Sequence, residues 1–418
     1  MLRLQSKKRH DGAHRHTYRG SRKTISVLCL ISGLEHGGTE VMLYRFLSGM
    51  DRTRFSAQVI SMIGAGPYSN RIQELGVPLW SLGMQRGIPN PMGIVRLVRW
   101  LREARPDVIQ TWMYHADLLG GVAAKLAGNI PVAWGVHQSD MSREGNGWLT
   151  LRTIALCSRM SPWLPSRVIC SSEASRQVHV SAGYSAKKMM VIPNGFDLEI
   201  FKPNPAARRS VRKQLEIPDE APLVGLLARF HPQKDHRNFV EAAGLLSRMR
   251  PDVHFLLCGD GVTPDNAELL QMLQKADILG RCRVLGNRDD VPFLLASLDI
   301  VASSSFAESF PVVIGEAMSC EIPCVVTDVG DSALIVGQTG RSVPPKNPKA
   351  LAFGLHELIQ LGHQRRQQLG KAARQRIRAQ YDLPDIVRRY ENVYEELASV
   401  AHHEHENRVA GWAQSSHR

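Results

Sequence analysis

Read as apolar and polar positions, residues 24–345 alternate short unbroken apolar runs with stretches whose apolar residues recur at helical spacing. The first half carries TISVLCLI (24–31), AQVISMI (57–63), VPLWSL (77–82), DVIQTW (107–112), IPVAWGV (130–136), RVICSS (167–172) and MMVIPN (189–194). After a polar, proline-bearing stretch, DLEIFKPNPAARR (197–209), the pattern restarts with PLVGLLA (222–228), VHFLLCGD (253–260), CRVLG (282–286), DIVASSS (299–305) and PCVVTD (323–328). Continuous apolar strands separated by helices predict βαβ units whose parallel sheet is buried on both faces. The restart predicts two such α/β domains, over residues 24–196 and 210–383, hinged near 196–210. Beyond Pro345 the pattern is helical. PDIVRRYENVYEELASV (384–400) puts Ile386, Tyr390, Val393, Tyr394 and Leu397 on one face that must pack on something. A polar, disordered tail is expected over 401–418.

Composition changes this picture in two places. The chain of 418 residues carries a net charge of +13, of which +7 sits in residues 1–23, read as a basic disordered leader. Such an arm also suits anionic lipid. It has no interleaved aromatics apart from Tyr18, so nucleic-acid binding is the least favoured class. No run of about 18 apolar residues predicts a spanning helix. The seven cysteines form no C-x-x-C pair and fit reduced core residues, which suggests a cytoplasmic protein. Neither a G-x-G-x-x-G fingerprint nor a phosphate loop occurs, and no acidic metal motif stands out; no metal and no bound cofactor are expected.

Four features lie just past predicted strand ends, where parallel α/β sheets bind ligands. In HGGT (36–39), Gly37 and Gly38 allow close backbone approach before a helix start, or simply form a flexible turn. In WGVHQSD (134–140), His137 could bond a sugar hydroxyl, act as a base, or serve a structural role. In LLARFHPQKD (226–235), Arg229 and Lys234 suit the two charges of a diphosphate, or form a solvated basic loop. In SSSFAESFPVVIGEAMSCEIP (303–323), Ser305 and Glu308 have capping-box spacing, Ser309 could cap instead, and Pro311 fits the first helical turn. Glu316, flanked by apolar residues, could instead accept hydrogen bonds from paired ribose hydroxyls.

The E-x7-E spacing of Glu308 and Glu316 around FPVV, with ARFHPQKD, VIPNGFD (191–197), GGTE and CVVTDVGDSALIVGQTGRSVPP (324–345), resembles the GT4 glycosyltransferases over residues 24–400. The resemblance implies retaining enzymes of the GT-B fold, two Rossmann-like domains facing across a cleft. It also implies transfer of a sugar from a nucleotide-sugar co-substrate (a UDP- or GDP-sugar) to a glycan or lipid-linked acceptor in cell-envelope polysaccharide or lipopolysaccharide biosynthesis. By the same resemblance, Glu316 binds the ribose, Arg229 and Lys234 hold the diphosphate, and Glu308 with Phe310, Pro311 and Val312 contacts the donor sugar. His137 and Gly37–Gly38 approach from the N-terminal, acceptor-side domain, and helix 384–400 crosses back onto that domain. The enzyme would be cytoplasmic, with a peripheral contact to anionic membrane. A sugar-nucleotide epimerase of the same fold and a catalytically inactive relative are the alternatives. Asp235 and Asp331 depart from glycines common at these positions.

Overall fold

The structure, a computed structural model, describes residues 24–415 except His36, residues 86–89 and residues 144–145. The basic leader expected over residues 1–23 lies outside the described residues. In the first domain the strands are β1 (Ile25–Ile31), β2 (Phe55–Ser61), β3 (Leu79–Ser81), β4 (Val108–Trp112), β5 (Val132–Val136), β6 (Arg167–Cys170) and β7 (Met189–Val191). They form one sheet in the order β3-β2-β1-β4-β5-β6-β7, every pairing parallel. Its helices are α1 (Gly38–Gly49), α2 (Pro67–Glu74), α3 (Pro91–Ala104), α4 (Tyr114–Gly128), α5 (Trp148–Met160) and α6 (Glu173–Ser181). Parallel pairing needs a crossover between strands, and these helices supply it on both faces. Hence β4 and β5 are buried at every position and read as apolar runs instead of alternating.

The second domain opens with α7 (Pro205–Gln214), inside the stretch the sequence suggests as a polar hinge. Asn204 caps it by accepting a hydrogen bond from the Ala207 N–H, and Pro205 fits its first turn. Arg208 and Arg212 then bond Asp299, which ties α7 to the second sheet. That sheet has β8 (Leu223–Leu227), β9 (His254–Cys258), β10 (Cys282–Val284), β11 (Ile300–Ser303), β12 (Cys324–Thr327) and β13 (Arg341–Val343) in the order β10-β9-β8-β11-β12-β13, again all parallel. The apolar pattern misses β13 because it is three residues long and only Val343 is buried. The helices are α8 (His236–Met249), α9 (Ala267–Lys275), α10 (Val291–Ser297), α11 (Val312–Ser319), α12 (Ser332–Val336), α13 (Pro348–Gln360), α14 (Gly362–Gln380) and α15 (Leu383–Ser415). In each sheet the strand order reverses beside the first strand, between β1 and β4 and between β8 and β11, which opens a crevice at the strand C-termini.

The chain crosses between domains twice, side by side. Phe196 N–H bonds Tyr381 O at 2.9 Å, and Leu383 N–H bonds Phe196 O at 3.0 Å. Helix α15 then lies on the first domain, burying Ile386, Val387, Tyr390, Val393, Tyr394 and Leu397 against a core that includes Phe46 and Trp112. Burying a side chain of this size contributes about 1.5–3 kcal/mol. The half-exposed ion pairs of the same helix, Arg54–Glu395 and Arg167–Glu396, are worth ~0–1 kcal/mol each. Apolar contact therefore holds α15 in place. The helix continues to Ser415, past the point where the sequence suggests a disordered tail.

Candidate active site

The second domain supplies one wall of the cleft through the loops after β8, β11 and β12. Arg229, just past β8, is exposed, and its guanidinium makes no ion pair or hydrogen bond among the described residues. A 3-10 turn (Pro232–Lys234) follows, ending at Asp235 with φ of +46°. A glycine enters this left-handed region freely; Asp tolerates it and here also caps α8, accepting from the Asn238 N–H at 3.1 Å. The departure at 235 thus keeps the backbone shape. Lys234 Nζ bonds Glu308 Oε1, to which Ser305 Oγ also donates at 2.7 Å. Ser304 Oγ donates to Lys234 O at 2.8 Å, so both ends of the lysine are held.

The capping scheme suggested for Ser305, Glu308 and Ser309 does not form. Helix α11 begins at Val312 with Pro311 as its N-cap, not within its first turn, and no side chain caps it. The reason is local. A proline disfavours helical backbone at the residue before it, so a helix cannot run from Ser309 through Phe310 into Pro311. Glu308 is therefore left to Lys234, and Ser309 Oγ bonds Ser172 Oγ of the first domain at 2.7 Å. Among the described residues the N–H groups at the start of α11 have no side-chain acceptor, and Gly38 lies opposite: a Cβ there would stand 3.8 Å from Val312 Cγ2. An uncapped helix start attracts anions through its free donors and its dipole.

Glu316, one turn further along α11, bonds the guanidinium of Arg45, a largely buried arginine of α1. Arg45 also donates to Gly195 O at 3.2 Å and lies 5.7 Å and 5.4 Å from the ring centres of Phe196 and Phe201. Burial raises the Glu316 pKa and the Arg45 charge opposes that rise. The pair ties α1 to α11, and one oxygen of Glu316 is committed to it. The packing allows no side chain at Gly315, because a Cβ would come within 2.0 Å of the fully buried Phe196 ring. Gly315→Ala is expected to cost about 1–3 kcal/mol through overpacking; thermal unfolding measures it as a lowered Tm.

In the first domain's wall, His137 follows β5 and stacks on Trp112, ring centroids 5.0 Å apart and planes 19° from parallel. Burial pushes its pKa down to about 4, so the ring is neutral at ordinary pH and serves as a hydrogen-bonding group, not a cation. Its Nε2 is buried with no partner among the described residues. Beneath it Asp117 is fully buried, accepting from Thr111 Oγ1 at 2.5 Å and Gly135 N–H at 3.2 Å. Burial raises its pKa to about 7, against lowering by those two bonds. The folded state therefore holds this proton more tightly than the unfolded chain does, and stability falls as pH rises from about 4 to about 7. Asp117→Asn removes that contribution, so equilibrium unfolding between pH 4 and pH 8 should show a smaller loss of stability toward alkaline pH than wild type.

Several contacts across the cleft join these walls. Ser139 Oγ, two residues past His137, donates to Glu308 O at 2.5 Å, and Gln233 Nε2 donates to Asp140 Oδ2 at 2.6 Å. Asp331 Oδ2 and Oδ1 accept from the Glu173 and Ala174 N–H groups at 2.9 Å and 3.0 Å, so a carboxylate of the second domain caps α6 of the first. The preceding Gly330, at φ of +56°, packs so closely that a Cβ would meet Glu308 O at 2.3 Å. Arg45, Ser139 and Asp331 escape a reading of the sequence as roles, although an arginine inside the apolar stretch VMLYRFL is itself a signal. Among the described residues no group of three or more His, Cys, Asp or Glu could hold a metal ion.

A cavity of about 830 Å³ lies in the first domain. Glu35, Glu40 and Gln138, the last between His137 and Ser139 in the chain, line it. Ile94 of α3, Leu118 of α4 and Leu149 and Leu156 of α5 also line it, with Met62, Ile63, Met84 and Met113 from strand-end loops.

Residues 36–200 match the family described as Glycosyltransferase Family 4, and residues 207–376 match Glycosyl transferases group 1. The chain is 26% identical, over 254 residues (60% of this chain, 65% of the relative), to a UDP-Gal:alpha-D-GlcNAc-diphosphoundecaprenol alpha-1,3-galactosyltransferase of Escherichia coli. It is 25% identical, over 383 residues (88% and 98%), to an N,N'-diacetylbacillosaminyl-diphospho-undecaprenol alpha-1,3-N-acetylgalactosaminyltransferase of Campylobacter jejuni. Among solved structures, Anabaena HepE in complex with UDP superposes with a TM-score of 0.78 at 25% identity, over 89% of this chain and 100% of that one.

Proposed function

The chain belongs to glycosyltransferase family 4, the group 1 glycosyl transferases of GT-B fold, and on that premise we propose that it transfers a hexose-type sugar from a UDP-sugar, with retention, to a lipid-linked glycan acceptor. One observation carries the reading: Lys234, held by Glu308, and Arg229, unpaired among the described residues, both follow β8, and the uncapped start of α11 follows β11, on the two sides of the β8/β11 crevice. Two cations and a helix start with free donors are what a diphosphate leaving group requires, because negative charge builds on it as the glycosidic bond breaks. Glu316 binds the ribose hydroxyls through its second oxygen while Arg45 holds the first. Glu308 and the backbone of Phe310, Pro311 and Val312 position the sugar. His137, neutral, accepts or donates one hydrogen bond to a sugar hydroxyl, and Gly37–Gly38 let α1 approach the donor.

In the reaction the acceptor hydroxyl attacks the anomeric carbon from the side the diphosphate leaves. The bond from that carbon to the diphosphate oxygen breaks, and the departing oxygen takes the hydroxyl proton. The carboxylate of Glu308 neutralises Lys234 and orients the sugar, so no covalent glycosyl-enzyme forms on it. The UDP preference draws on HepE, solved with UDP, and on the Escherichia coli relative, whose name includes UDP-Gal. The lipid-linked acceptor draws on the undecaprenol diphosphate in both relatives' names and on the apolar cavity of the acceptor-side domain. The enzyme works in envelope polysaccharide assembly as a peripheral protein on the inner membrane face; no described helix is long and apolar enough to cross a membrane. A panel of UDP-, GDP- and ADP-sugars, assayed for nucleoside diphosphate release, tests the reading. Release from one or a few UDP-sugars is expected; release from none, or epimerised donor formed without acceptor, overturns it.

A further inference from the structure

The first domain's helical layer on the α3–α4–α5 side exposes large apolar and cationic side chains together. Trp148, at the start of α5, is 66% exposed, and Trp163, just past its end, is 65% exposed; on α3, Met92 and Val95 are 59% and 57% exposed. The same helices carry Arg96, Arg99 and Arg102 against Glu103 alone on α3, and Arg152 and Arg159 with no acid on α5. Arg152 sits over the Trp148 ring at 4.7 Å. Beside Trp163, Lys188 Nζ donates to Pro162 O and Pro165 O, both at 2.7 Å. Burial lowers the Lys188 pKa, and the nearby charges of Lys125 and Arg167 add to the fall, so this end of the face gathers cations.

Exposed tryptophans among arginines suit the head-group region of a membrane, where the ring meets the acyl boundary and the cation meets phosphate. We propose that the outer face of α3 and α5 docks on an anionic lipid bilayer, so that the cavity between these helices receives the apolar anchor of the acceptor. The charge complementarity commits the face to anionic lipid: α3 and α5 hold five arginines and one acid, and that acid, Glu103, is bonded to Arg99 at 3.0 Å. The cavity supplies the geometry. Helices α3 and α5 flank α4, and the space between them continues to Gln138, adjacent to His137 and Ser139. A lipid anchor lying between α3 and α5 would leave its sugar end at the cleft. The docking half stands on the surface alone; the anchor half rests on the lipid-linked acceptor proposed above.

The test is co-sedimentation of the full chain with vesicles of 70% phosphatidylcholine and 30% phosphatidylglycerol, against vesicles of phosphatidylcholine alone. Wild type should bind the anionic vesicles at least tenfold more tightly. Trp148→Ser/Trp163→Ser and Arg99→Glu/Arg152→Glu should each lose about tenfold of that binding, with unchanged Tm and unchanged nucleoside diphosphate release. Equal binding to both vesicles overturns the proposal. So does binding undiminished in both variants, as the basic segment of residues 1–23 alone would give, or a shift from dimer to monomer in the variants, which would assign the face to a second copy. Because vesicle binding needs no donor, failure of the donor panel with vesicle binding intact would overturn the functional reading and leave the docking face standing.

Discussion

Lys234→Ala should lower kcat by roughly two to three orders of magnitude, the loss typical when one preorganised donor to a developing anion is removed. Lys234 is only partly buried and contributes little packing, so Tm should change slightly. Its partner Glu308 keeps the Ser305 hydroxyl at 2.7 Å and is not stranded. Lys234→Arg restores charge but not the compact ammonium, and should recover part of the rate. Steady-state transfer with saturating donor measures both rates, and thermal unfolding measures Tm. A Lys234→Ala rate within a factor of about three of wild type would refute the diphosphate role.

Glu316→Ala acts differently, because the carboxylate has two partners in this account. Losing its hydrogen bonds to the ribose should cost about 1.5–3 kcal/mol of binding, roughly a 10- to 100-fold rise in donor KM with kcat much less affected. It also strands Arg45, whose one remaining hydrogen bond among the described residues is to the Gly195 carbonyl, beside the Phe196 and Phe201 rings. Removing one partner of a buried pair costs ~3–5 kcal/mol. The cost here should fall below that range, since the Arg45 and Glu316 side chains remain 9% and 12% exposed. Glu316→Gln, which can still accept from Arg45, separates the two effects: KM should rise while most of the stability returns. A Glu316→Ala variant with unchanged donor KM but lowered Tm would make Glu316 a strut between α1 and α11 and nothing more.

The strands were legible because burial on both faces of a parallel sheet writes continuous apolar runs, and TISVLCLI and DVIQTW became β1 and β4 within a residue or two. The three-residue β13 wrote no such run. The proposed site residues on strand-end loops were visible as polar or charged positions after those runs: Arg229, Lys234, Glu308 and His137. Their partners were not visible, since each comes from a distant segment. Arg45 meets Glu316 across 271 positions, and Asp331 meets Glu173 across 158. Sequence spacing alone also misread the start of α11, where Ser305-Phe-Ala-Glu308 has capping-box form but Pro311 sets the boundary. The cavity could not be read at all, because loops after five strands and residues of four helices assemble it.

The proposed reaction is retaining transfer from a nucleotide sugar to a lipid-linked acceptor at the Lys234–Glu308 cleft. Its most direct test is NMR of the product formed from the UDP-sugar selected by the donor panel and a short-chain polyprenyl diphosphate-linked sugar. One new glycosidic linkage with the anomeric configuration of the donor is expected, formed with equimolar release of UDP. A product of inverted configuration, or sugar released only to water while acceptor remains unmodified, would contradict it.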